Sequence, residues 1–151
     1  MQIGRDEGGR ILCGGDRPKG GYYDHGSYYL PTVIEGLPNS ARMCREEIFG
    51  PVLAIMPYDS EAQAIEIAND TEFGLAAYVQ STDMAHARRV ARQLRAGQVN
   101  INYPDWDIYA PFGGYKQSGN GREGGVYGME EYLEYKSLQL RPPKAPAGTT
   151  A

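Results

Sequence analysis

The chain has 151 residues, 41% hydrophobic and 23% charged, with 15 basic and 19 acidic residues giving a net charge of −4. That length suits one domain with a real core, and the mixed, mildly acidic charge excludes nucleic acid or an anionic membrane surface as the expected partner. No run approaches the ~18 consecutive apolar residues of a membrane span and no signal-peptide core opens the chain, so a cytoplasmic location is expected.

Residues 1–9 show no helical spacing around Ile3 and read as a frayed end closed by Gly8-Gly9. Arg10–Cys13 reads as a short strand ended by Gly14-Gly15. Residues 16–27 are turn-rich and predict an exposed, hairpin-like loop. Tyr28–Leu37 is an extended run that Pro31 places at an edge or bulge. After Pro38-Asn39-Ser40, a helical turn or two is predicted over Ala41–Glu46.

Glu46 and Glu47 cannot both point the same way. One is expected to face solvent while the other, with Phe49, turns into a cleft beside the Gly50-Pro51 bend. A carboxylate beside an aromatic face suits a sugar hydroxyl and a flat ring. The plainer reading of the same run is a helix end carrying surface glutamates.

From Pro51 the pattern is regular. Val52–Met56 is a continuous apolar run, as in a strand covered on both faces. Ser60 and Gln63 fit a capping box in which each satisfies the other's free N–H. The helix they open turns Ala64, Ile65 and Ala68 inward and ends near Asn69-Asp70. Leu75–Val79 is the next strand. Thr82 or Asp83 caps a second helix with Ala87, Val90, Ala91 and Leu94 on its inner face and Arg88, Arg89, Arg92 and Arg95 outside. Gly97 reads as its C′ stop, and Gln98–Asn102 returns as a strand. Strand, helix, strand, helix, strand predicts right-handed βαβ units on a largely parallel sheet, an α/β fold.

Residues 103–119 are aromatic, broken by Pro and Gly, and without period, as ligand-facing loops at strand ends are. Trp106, Tyr109 and Phe112 there read as a pocket rim or a subunit contact. A short helix is predicted around Glu123–Tyr132, then a half-exposed strand over Tyr132–Leu140. Residues 141–151 form a proline-rich tail that reads as disordered, outside a single domain spanning residues 1–140.

Four chemical possibilities are set aside. Gly119–Gly124 matches GxGxxG but follows no apolar strand, and the position about 20 residues on falls in the proline-rich tail, so it is no dinucleotide fingerprint. Cys13 and Cys44 are far apart and lack a neighbouring histidine, so both read as inert thiols, although Arg42 and Arg45 would lower the pKa of an exposed Cys44. With His25 and His86 the only histidines, no metal set emerges. Adjacent glutamates do not face each other across a sugar as glycoside hydrolysis requires.

Four ordered stretches, GSYYLPTV, EEIFGPV, EIANDTEFGLAAYV and PFGGYKQSGNGRE with YGMEEYLEYKS, resemble the aldehyde dehydrogenase family from about Ile3 to Leu140. The resemblance implies the C-terminal part of the catalytic domain, with Glu47 at the nicotinamide ribose and Phe49 beside the nicotinamide of NAD or NADP. It places Trp106 and Phe112 at the aldehyde end. It also implies that the terminal strand Tyr132–Leu140 joins a neighbouring subunit, giving a homo-oligomer.

Family members are much longer, and their cofactor domain, general-base glutamate and nucleophilic cysteine lie upstream of the matching region. The family reaction oxidises an aldehyde to a carboxylic acid through a cysteine thiohemiacetal. Neither Cys13 nor Cys44 stands at the nucleophile position, so the resemblance implies a truncated chain without a catalytic residue. Alone, it is expected to be inactive and to bind no cofactor tightly. Two other readings stand beside this one: a self-associating interaction module, and one half of a split enzyme completed by a separately encoded N-terminal half.

Overall fold

The computed structural model describes residues 1–142, so the tail expected over 141–151 lies almost wholly outside the described residues. The centre of the first half is strand β2 (Thr32–Glu35). It pairs antiparallel with β1 (Arg10–Cys13), with an irregularity between Ile11 and Cys13, and parallel with β3 (Val52–Ile55). The result is a three-stranded sheet ordered β1-β2-β3. Ile34 of β2 is fully buried with Leu37, Ala41 and Met43, and Ile11, Val52 and Ala54 pack around them.

Residues 1–9 contain a helix that sequence spacing does not show, α1 (Gln2–Asp6). The signal is tertiary: Gly4 is buried where Met43 and Ile34 approach so closely that a Cβ would collide with them. Local bonds support it, with the Gln2 side-chain amide donating to Asp6 at 2.8 Å. The loop predicted over 16–27 contains a 3-10 turn at Gly21–His25. Val52–Met56 was expected to be covered on both faces, yet Leu53 and Ile55 of β3 are exposed while Val52 and Ala54 face the core. Only one side of this sheet is covered by the described residues.

Helix α3 (Glu61–Asn69) begins at Ser60, whose hydroxyl accepts from the Gln63 N–H at 3.2 Å. The capping box is half formed. The Gln63 side chain accepts from the Asp59 N–H at 2.6 Å, one residue before the cap. Ala64 and Ile65 are half-buried, but Ala68, expected inside, is exposed at the helix end. Strands β4 (Ala76–Val79) and β5 (Gln98–Ile101) pair parallel, joined by α4 (Met84–Ala91). Asp83 caps α4 by accepting from the His86 N–H at 3.0 Å. Ala87 is fully buried beneath it, while Arg88, Arg89 and Arg92 are exposed as the periodicity requires.

β3 and β4 do not pair, so the three strands of the predicted run fall on two sheets. The turn after α3 is held by other partners. Asn39 and Arg45 bind Asp70, Lys116 donates to the carbonyls of Asn69 and Thr71, and Ser118 accepts from the Gly74 N–H. These contacts hold the approach to β4 against the 113–118 segment and tie it to α2 and the loop before it. Gly97 also differs from expectation: α4 ends at Ala91, and Gly97 has no left-handed backbone. A Cβ at Gly97 would overlap the Gly113 carbonyl, and close approach is what glycine supplies there.

Beyond β5, Phe112 and Glu123 exchange backbone hydrogen bonds at 2.8 and 2.6 Å, closing the aromatic loop. A 3-10 turn at Lys116–Ser118 lies inside it, and α5 (Gly125–Glu130) follows. Tyr132–Leu140 carries no strand and is exposed on both faces, contrary to the half-exposed strand expected. A strand exists only through ladder bonds, and none reaches this segment within the described residues. No described helix is long and apolar enough to cross a membrane.

Candidate functional site

Helix α2 (Arg42–Arg45) aims the Glu46-Glu47 pair, and both its ends are held from outside. The Glu7 carboxylate accepts from the N–H groups of Arg42 and Met43 at 2.7 and 3.2 Å, capping a helix start that Ala41 cannot cap. At the other end Arg45 reaches the Asp70 carbonyl and, at 3.1 Å, its carboxylate. The two glutamates have different neighbours, but both are exposed. Glu46 bonds Arg42 at 2.6 Å, and that hydrogen bond holds its carboxyl below the usual range. Glu47 lines a cleft of about 320 Å3 with Thr71, Gly74, Leu75, Ala96 and Ser118.

Phe49 does not turn into that cleft. It is 92% exposed, with φ of 49° in the left-handed region that bulky residues avoid. The bend before Gly50-Pro51 throws the ring outward. A non-glycine residue held there stores strain of the kind found at ligand sites.

Trp106 and Phe112 do meet. Their ring centroids lie 6.1 Å apart on a second cleft of about 580 Å3, which Tyr78 and Tyr103 also line. Leu75 and Ala76 line both clefts, so β4 and its approach form the partition between them. Tyr109 does not line either of these clefts.

Neither cysteine lines these clefts. Cys44 is half-buried, and burial, reinforced by Glu7, pushes its thiol up despite Arg45. The lowering that Arg42 and Arg45 would cause in an exposed thiol is therefore overruled by desolvation. Among the described residues no group of three metal-ligating side chains gathers. The GxGxxG stretch follows the 3-10 turn and leads into a helix of six residues, which agrees with its rejection.

Sequence reading missed the Glu7 cap, the Arg45–Asp70 contact, and Tyr78 and Tyr103 as cleft residues. Only the last had a local signal: aromatic side chains beside strand ends.

The chain matches the Aldehyde dehydrogenase family over residues 1–138. It is similar to a 3-succinoylsemialdehyde-pyridine dehydrogenase of a Pseudomonas species, 52% identical over 91% of this chain and 29% of that protein. Among solved structures, a mutant aldehyde dehydrogenase of Pseudomonas syringae, complexed with NAD+ and octanal, is 53% identical with a TM-score of 0.83. That match covers 88% of this chain and 27% of the other. A Mycobacterium tuberculosis aldehyde dehydrogenase complexed with NAD+ is 45% identical with a TM-score of 0.86, over 99% of this chain and 30% of the other. With a parallel-stranded α/β fold and this degree of identity, the chain belongs to the aldehyde dehydrogenase family. It spans less than a third of the length of these relatives.

Proposed function

We propose that this chain forms two walls of an NAD(P)-dependent aldehyde-oxidising site, Glu47 and Phe49 toward the cofactor and Trp106 and Phe112 toward the aldehyde. The observation that carries the reading is the shared partition. The cleft bearing Glu47 adjoins the aromatic cleft at Leu75 and Ala76, so a hydride donor and acceptor bound one on each side would lie close together.

The residues suit the nicotinamide-ribose end of the cofactor. The carboxylate oxygens of Glu47 can accept from ribose hydroxyls. Phe49 offers an aromatic face that is 92% exposed among the described residues. When bound, the cofactor supplies the hydride acceptor. Glu47 would hold the ribose, Phe49 would lie beside the ring, and Trp106 and Phe112 would line the aldehyde side. With no thiol on either cleft, the chain alone is expected to oxidise nothing and to hold cofactor weakly. Calorimetric titration of NAD+ tests this: binding no tighter than millimolar is expected, weakened further by Glu47→Gln. Tight binding indifferent to Glu47→Gln would overturn it.

We further propose that Tyr132–Leu140 pairs with the sheet of a second copy. Tyr132, Tyr135, Leu138 and Leu140 are all more than four-fifths exposed, between 81% and 90%, and an unpaired apolar segment of this kind invites strand addition. A separately encoded N-terminal half is the competing occupant, distinguished by whether the chain alone forms a defined oligomer. The free thiols of Cys13 and Cys44 fit the reducing cytoplasm that we propose as its location.

A further inference from the structure

We propose that the aromatic cleft takes an aldehyde bearing a positively charged head group, a quaternary or protonated amine. The proposal rests on this cleft being the aldehyde end of the site, as inferred above.

The cleft brings together Tyr78, Tyr103, Trp106 and Phe112. Tyr78 and Tyr103 lie 6.0 Å apart at 37°, Trp106 and Phe112 6.1 Å apart at 52°. Neither pair is stacked face to face, so the rings leave much of their π faces uncovered. Tyr103 is 72% exposed and Trp106 71%. Large rings held open to water forgo burial, which a guest would restore.

The backbone keeps them there. Asn102 and Tyr103 have φ of 55° and 50°, two consecutive non-glycine residues in the left-handed region. The Asn102 side chain fixes that bend by accepting from the Ser81 N–H and donating to the Ser81 carbonyl, at 3.0 and 2.9 Å. Such strain is maintained at ligand sites.

Charge then selects the guest. The charged side chains on the cleft are Asp105 and Asp107, with no Lys or Arg among its lining residues. Neither aspartate joins an ion pair among the described residues, and Asp107 is fixed by accepting from the Tyr109 N–H at 2.9 Å. Aromatic faces attract cations through their quadrupole, and two carboxylates add Coulomb attraction at the same mouth. A neutral aldehyde gains burial alone, and one ending in a carboxylate is repelled.

Trp106 is the single tryptophan of the chain, so its emission reports this cleft. Three probes of similar shape separate charge from size: tetramethylammonium, neopentyl alcohol and pivalate. A saturable change in Trp106 emission with tetramethylammonium is expected. Neopentyl alcohol should bind at least about fivefold more weakly, the size of a modest cation–π preference, and pivalate should not saturate.

In a double variant, Asp105→Asn with Asp107→Asn, tetramethylammonium should fall to the level of neopentyl alcohol. Asparagine retains the oxygen that receives the Tyr109 N–H, so the loop keeps its bond. Equal response to the cation and the alcohol, or none to either, overturns the proposal. If that happens while NAD+ binding still depends on Glu47, the substrate class fails and the cofactor reading stands. Loss of the Glu47 dependence with cation selectivity retained removes the cofactor reading alone.

Discussion

Arg45 anchors the approach to Glu47 from a position two residues away. Its guanidinium holds both the carbonyl and the carboxylate of Asp70, tying α2 to the turn that precedes β4 and the floor of the Glu47 cleft. Both partners are more than a third exposed, so the ion pair itself is screened. Arg45→Met is expected to cost about 1 kcal/mol in thermal or urea unfolding and to weaken NAD+ binding beyond that. An unchanged affinity would show that Glu47 is placed without it.

Titration at single residues has two opposite signs. Cys44 is pushed up by burial, so its stabilising effect is complete below the unfolded thiol pKa of about 8.5 and is lost as pH rises through it. Glu46 is held down by its bond to Arg42 and Asp83 by the His86 N–H. Their contributions are present above the ordinary carboxylate range of about 4 and lost as pH falls. Melting temperature against pH should therefore be a plateau that declines at both ends. Iodoacetamide near pH ~8 should label exposed Cys13 before Cys44. The reverse order would contradict the burial argument.

At the scale of elements, the helices were legible because their signals are local. A cap residue and a spacing of three and four locate α3 and the start of α4, whereas α4 ends at Ala91, short of the stop read at Gly97. Ser60→Ala should cost about 1 kcal/mol through loss of the α3 cap. Strand pairing was less legible: β3 and β4 do not pair, and the turn before β4 is fixed by Asn39, Arg45 and Lys116, residues distant in sequence. The site was half legible. The family motifs named Glu47, Phe49, Trp106 and Phe112, and the structure brings Trp106 and Phe112 together but leaves Phe49 outside either cleft. The strained backbone that turns it out has no signature in residue type. Gly97 was noticed for the wrong reason. Gly97→Ala should destabilise by about 2 kcal/mol or more because the Gly113 carbonyl occupies the space of the new methyl, a loss that a mere helix stop would not show.

At the scale of the whole molecule, much apolar surface stays uncovered. Leu53 and Ile55 on one sheet and Tyr132, Leu138 and Leu140 after α5 all face solvent, far more than scattered surface residues explain. Sedimentation should give a mass that rises with concentration to a defined oligomer, and Leu138→Asp should shift it toward monomer. A monomer at all concentrations would remove the self-pairing reading. The proposed site would hold only the nicotinamide-ribose end of NAD+. Saturation-transfer NMR of NAD+ in the presence of the chain checks this. Saturation should reach the nicotinamide and its ribose protons far more than adenine, and fall with Glu47→Gln. Equal saturation of adenine, or none anywhere on the cofactor, would contradict it.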